Sequence, residues 1–207
     1  VYHGLCFLFA YQWMQNGKLS SAMLSGTMAG LALWTKQSAL VLVPALCIVP
    51  LIRRLQFNSQ STSEIKNCFV AIGTTILIGA PWYLRSFFIV GLDEVIPAPG
   101  AYDAQYINNS INQLITFLTS VNEWGITLGT TIMLGVTLCT IYYIKPNFDN
   151  ISNKTIDPKS RSILIAAFIV PYHIIWWQNF SYDTRYLLSS AVIYAALGGH
   201  AVDWALK

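Results

Sequence analysis

Charge is scarce in this chain. Asp, Glu, Lys and Arg make up 10% of its 207 residues while hydrophobic residues reach 55%, and ordinary soluble domains carry roughly 25% charge. One water-soluble globule has too little polar surface to cover so much apolar side chain, so the composition points to a polytopic membrane protein. A basic stripe is also missing. The formal net charge is only +3 and the cations are scattered, which excludes the electrostatic footprint of a nucleic-acid binder. Cys6, Cys47, Cys68 and Cys139 stand in apolar runs without a CxxC spacing. Neither a zinc site nor a disulfide framework is indicated, and the cysteines are expected to be small core residues. There is no initiator Met, no basic n-region and no cleavage site, and Val1 already lies inside an apolar run. The expectation is that an N-terminal portion of the natural protein precedes it.

What is present is a series of apolar runs. Against the roughly 20 residues that cross a bilayer, they suggest about seven spans: 1–14, 19–35, 38–52, 67–90, 124–144, 162–178 and 187–206. The expected fold class is an all-α bundle of transmembrane helices forming one domain over 1–207. Between Lys18 and Arg53 the only charge is Lys36. One helix running through it would be about 50 Å long at 1.5 Å per residue, too long for a single crossing, so a tight helical hairpin with Lys36 at its turn is expected.

The distribution of cations sets the orientation. The connectors 53–66 and 145–161 hold Arg53, Arg54, Lys66, Lys145, Lys154, Lys159 and Arg161, whereas the connection 91–123 has no Lys or Arg and carries Asp93, Glu94, Asp103 and Glu123. By the positive-inside rule the two basic connectors are cytoplasmic. Alternation then puts Lys36, the loop 91–123 and the loop 179–186 outside. Trp13, Trp34, Trp124, Trp176, Trp177 and Trp204 fall near expected span ends, as an aromatic belt would.

Lys36, Arg85 and Arg185 are the cations placed on or near the outer side. Arg85, within the fourth span, is the costliest, because ionisable groups in a span normally face a bundle interior or a watery cavity. Asp183, Glu123 or Asp93 would serve as a salt-bridge partner. Alternatively, the three cations converge on an anion at the outer face, such as a lipid phosphate, for which a guanidinium fork and a mobile ammonium are suited.

"AGLALWTKQSALVLVPAL", "APWYLRSFFIVG" and "YDTRYLLSSAV" occur in this order, separated by runs of helix length. Together they resemble the middle part of integral-membrane glycosyltransferases of the C superfamily, in the branch similar to protein O-mannosyltransferases and lipid A aminoarabinose transferases. The resemblance implies a multi-helix enzyme, in the plasma or inner membrane of a prokaryote, that takes sugar from a polyprenyl-phosphate-linked donor. The acceptor would be a protein, lipid or glycan, and transfer would occur with inversion at the outer or luminal face. Lys36 in "TKQSAL" matches the family's Thr-Lys position and Arg185 in "TRYLL" a common Arg-Tyr, both implied to bind donor phosphate. Arg85 after "PWYL" is implied to do the same, with Asp183 orienting Arg185. The acidic catalytic base of such enzymes would lie upstream of Val1, so this stretch alone is expected to be inactive; Asp93 and Glu94 are the acidic pair within it that could act directly, or else they simply end a solvated loop. No metal or cofactor is indicated, and the lack of a Gly-rich nucleotide loop fits a lipid-linked donor.

The remaining features read as structure. Ala22, Gly26 and Gly30, and again Gly125 and Gly129, form small-xxx-small packing faces. Pro81 and Pro171 should kink their spans, and a kink at Pro81 could aim Arg85 into a cavity. His173 and His200 are expected to make core hydrogen bonds. Ile107, Ile111, Leu114, Ile115 and Leu118 have helical spacing in the outer loop, suggesting an amphipathic interfacial helix. A second function class stays open, a secondary transporter or flippase for a lipid-linked or anionic substrate. It would also use Arg and Lys near a cavity, but it should show repeated halves, and no repeat is evident.

Overall fold

The computed structural model describes residues 1–57, 61–91 and 158–179, together with Ile193. Their regular structure is helical: α1 (Tyr2–Asn16), α2 (Leu19–Thr35), a 3₁₀ turn (Gln37–Val41), α3 (Leu42–Phe57), α4 (Ser61–Val90) and α5 (Pro158–Asn179).

α1 and α2 are joined by a turn whose chemistry is local. Gly17 takes the left-handed conformation at φ 65°, and its N–H donates to the Trp13 carbonyl, the usual glycine stop for a helix. The Asn16 Oδ1 accepts the Lys18 N–H at 2.8 Å, which closes the reversal into α2. A side chain at position 17 would also collide with the guanidinium of Arg53.

That guanidinium organises one end of the bundle. Arg53 lies near the end of α3 and is 9% exposed. Its Nη1 donates to the carbonyls of Trp13 at 3.1 Å and Met14 at 2.5 Å. Both are among the last carbonyls of α1, where intrahelical partners run out, although Trp13 O also accepts the Gly17 N–H. Its Nε sits 2.7 Å from Glu64 Oε1, in the first turn of α4. Asn67 of α4 donates to the Gly17 carbonyl at 3.0 Å. The end of α1, the start of α2, the end of α3 and the start of α4 therefore meet here, so α1 and α3 run toward this end and α2 and α4 away from it. The alternation expected from the sequence holds for these helices. Arg53 and Arg54, expected in the connector 53–66, are helical, as is Lys66, because α3 continues to Phe57 and α4 starts at Ser61. A guanidinium that finds carbonyls and a carboxylate inside the bundle has no need to leave the helix for water.

α2 and α4 lie side by side in parallel along the expected small-residue face. A Cβ on Gly26 would strike the Ala71 carbonyl and the Thr74 hydroxyl, and one on Gly30 would press on Ile78 and the Thr75 carbonyl. The close approach lets the Thr75 hydroxyl lie 3.1 Å from the Gly26 carbonyl, while remaining 2.8 Å from Ala71 of its own helix. Tyr83 adds a bond from its hydroxyl to the Leu33 carbonyl at 3.2 Å. α1 also packs on α2, and α5 packs on α3, its Leu164, Ala167 and Phe168 belonging to the same buried core.

Two stretches of helix are long and apolar enough to cross a membrane: Ser38–Phe57, with 20 residues and a mean hydropathy of 1.9, and Thr62–Ile89, with 28 residues and 1.4. Only 39% and 22% of them are buried among the described residues, unlike the central helix of a soluble core. On α4 Phe69, Leu77 and Phe88 are 71%, 74% and 80% exposed, while the glycine, alanine and threonine side faces α2. The described residues thus do not give seven spans. α1 and α2, with 15 and 17 residues, reach only about 22 and 25 Å at 1.5 Å per residue, short of a core about 30 Å thick. The apolar part of α5 is the shorter Ile163–Ile175. The breaks near Gly17 and at Lys36 lie where the sequence placed them, but the helices they delimit, counted as spans, are too short for a full crossing. The expected span 124–144, the span 187–206 apart from Ile193, the amphipathic helix expected at 107–118 and the Gly125–Gly129 face lie outside the described residues, as does most of the connector 145–161.

Replacing Arg53 by Met leaves the buried Glu64 carboxylate unpaired and should cost about 3 to 5 kcal/mol, with part recovered when Glu64 is also changed to Gln; thermal unfolding of the detergent-solubilised protein, followed by circular dichroism, measures both. In the same assay Gly26→Leu should destabilise by about 1 to 3 kcal/mol through overpacking.

Candidate functional site

At the end opposite Arg53, α2 stops without a glycine. Ala32 O accepts both the Thr35 hydroxyl at 2.7 Å and the Lys36 N–H at 3.0 Å. Lys36 then turns extended, at φ −153° and ψ 132°. Its carbonyl accepts the Ala39 N–H at 3.1 Å, which starts the 3₁₀ turn leading into α3. The break expected at Lys36 is therefore present. It takes the form of one extended residue followed by a tight turn.

The break forms part of a cavity of about 260 Å³ whose wall includes His3, Ala32, Thr35, Lys36, Ala39 and Tyr172. The alanines keep the wall open where α2 ends and the 3₁₀ turn begins. α5 is tied in from the other side, since the Ser38 hydroxyl donates to the Tyr172 hydroxyl at 3.2 Å. Tyr172 also presents its ring edge-on to His3, with centroids 5.0 Å apart and planes at 89°. Phe168 meets His3 at 71° and 6.3 Å. The cavity thus lies where the first turn of α1, the break after α2 and the second half of α5 come together. It offers an ammonium, an imidazole and hydroxyl groups, a set suited to oxygen-rich anionic ligands.

Arg85 is placed differently. It is exposed on α4, with its guanidinium carbon 6.0 Å from the Trp82 ring centroid. The Trp82 ring stands 5.9 Å from that of Trp34, whose Nε1–H donates to the Ile78 carbonyl at 2.6 Å. Arg85 is thus linked through two tryptophans to the segment preceding Lys36, yet it does not line the cavity. Pro81 lies within the continuous helix α4, and Arg85 one turn further on is set against the Trp82 ring. Arg185, Asp183, Asp93 and Glu94 lie outside the described residues, so the convergence of Lys36, Arg85 and Arg185 rests on sequence. His173 makes the expected core bond, its Nδ1–H donating to the Ile169 carbonyl at 2.9 Å. Of the cysteines expected in the core, Cys6 is buried, Cys68 half-buried and Cys47 exposed. No group of His, Cys, Asp and Glu among the described residues could hold a metal ion.

No family model, curated protein or solved structure matches the chain.

His3 and Ser38 were missed by sequence reasoning, and Tyr172 was noted only as part of an aromatic cluster near the last outer loop. A histidine in an apolar run was the available signal for the first, since ionisable residues in such runs commonly mark functional positions.

Trp34→Phe, which keeps an aromatic ring beside Trp82 but deletes the bond to Ile78, should lower stability by about 1 kcal/mol; the shift of the unfolding midpoint relative to wild type tests it.

Proposed function

We propose that the chain is the central-to-late part of a C-superfamily glycosyltransferase, a polytopic bundle with more crossings than the two spans described above. It moves a sugar from a polyprenyl-phosphate-linked donor to an acceptor at the outer or luminal membrane face. The sequence motifs around Lys36, Arg85 and Arg185 support this reading, and one structural observation carries it furthest: Lys36 stands at a helix break at one end of the bundle and lines a cavity beside hydroxyl groups. A volume of about 260 Å³ is below the roughly 300 to 1,000 Å³ of pockets that enclose a drug-sized ligand. It suits a head group whose isoprenoid tail lies outside, along the exposed apolar faces of the helices.

The chemistry follows from charge. As the bond from the anomeric carbon to the phosphate oxygen breaks, negative charge grows on the leaving phosphate, and a cation already in place stabilises that charge more than it stabilises the intact donor. Lys36 supplies this cation. Arg185 would add a planar fork of donors. Arg85 has a lesser part, on account of its stacking on Trp82.

Sugar transfer from polyprenyl-phosphate-sugar donors by the full-length protein tests the proposal. In correctly inserted, normally expressed variants, Lys36→Ala and Arg185→Ala should each lower the rate by about two to three orders of magnitude. Undiminished transfer would return both cations to the membrane interface, and a wild type inactive with every donor would favour a transporter or flippase.

A further inference from the structure

His3 is the least explained polar residue at the cavity. It is 4% exposed, and neither ring nitrogen has a hydrogen-bond partner, although the backbone at Phe168 passes close by. Buried polar side chains are nearly always bonded, and leaving one unsatisfied costs about 1 to 3 kcal/mol. The ring is held between Phe168 and Tyr172 at steep angles, which fixes its plane. The open space it borders is the cavity that Lys36 also lines. A neutral imidazole has one N–H to donate and one nitrogen to accept, and the nearby ammonium favours an anion.

We infer that His3 is a second ligand-contacting residue of the Lys36 cavity, donating an imidazole N–H to a phosphate oxygen of the bound ligand. The inference rests on the phosphate reading given under the proposed function. Whether the phosphate is carried on an isoprenoid or free in solution, the recognition chemistry is the same. His3 makes a directional neutral hydrogen bond and Lys36 a charge contact, so together they fix the orientation of the phosphate as well as its location.

Full-length protein in phosphatidylcholine nanodiscs is titrated calorimetrically with farnesyl phosphate and, separately, with inorganic phosphate, for wild type, His3→Phe, His3→Gln and Lys36→Ala. His3→Phe should weaken farnesyl phosphate binding about tenfold, equivalent to 1.4 kcal/mol, whereas His3→Gln, which keeps an N–H donor, should stay within about threefold of wild type. Lys36→Ala should weaken it as well. If His3→Phe binds like wild type while Lys36→Ala is impaired, the His3 inference falls and the phosphate reading stands. If wild type binds neither probe, or if neither variant is impaired, both fall. Binding of inorganic phosphate with the same His3 dependence, and no preference for farnesyl phosphate, would keep His3 as a ligand contact and remove the lipid-linked donor. A measurement on the wild type guards against misfolded variants. With ¹⁵N-labelled histidine, the imidazole resonances absent from His3→Gln should shift when the wild type is saturated with farnesyl phosphate, and resonances that do not move overturn the inference.

Discussion

The bundle depends on one buried guanidinium. Arg53 meets two demands at once, the carbonyls at the end of α1 and the charge of the Glu64 carboxylate at the start of α4. Each is awkward alone, because a helix end carries about half a negative charge and a buried carboxylate a whole one. The guanidinium is flat, permanently charged and forked, so it can serve a carboxylate along one edge and carbonyls along another. Lysine at this position could not divide its donors in that planar arrangement. The bare backbone at Gly17 leaves room for the guanidinium, so the turn between α1 and α2 and the end of α3 fit each other.

Fixing this end decides what can happen at the other. With α2 and α4 both starting beside Arg53, their small-residue faces come into register, and backbones can approach closely enough for Thr75 and Tyr83 to reach carbonyls across the gap. In an apolar surrounding, such packing and hydrogen bonding hold helices together where hydrophobic exclusion does little. α2 becomes a stiff strut against α4, and the Trp34–Ile78 bond sets its last turn. Lys36 is consequently delivered at a defined place. Beside the end of α2, α1 meets α5 through large rings, His3 against Phe168 and Tyr172. Large rings leave space that alanines do not fill, which accounts physically for the cavity.

The sequence disclosed some of this directly. A single ammonium in a long uncharged run had to break the helix, and it does. Glycines repeating every four residues had to face a neighbouring helix, and those on α2 do. The count of spans was harder to read, because an apolar run bounded by turns looks like a crossing even when it is too short for one; α1 and α2 stop where the sequence placed their ends and are still short of a bilayer core. Arg53 was read as a loop cation because loops hold most cations, and nothing local to it announces that the carbonyls of a helix ending some forty positions earlier will be waiting. His3 is invisible for a related reason. A lone histidine among apolar residues looks the same whether its ring meets a carbonyl, as His173 does at Ile169, or an open space.

Arg53 and His173 also show how this protein treats a polar side chain that it intends only for structure. Arg53 donates to two carbonyls and a carboxylate and lies over the Phe57 ring 5.4 Å away, and His173 is bonded within its own helix. His3 stands apart from that pattern, and it borders the same cavity as Lys36 although the two come from different segments. Other buried polar atoms also lack a partner, Trp13 Nε1, Gln56 Oε1 and Glu64 Oε2 near Arg53 among them, but none of these residues lines the cavity. The unpartnered imidazole is the one that borders the open space lined by Lys36, and that coincidence is the argument for the Lys36 end as the place where a phosphate is held.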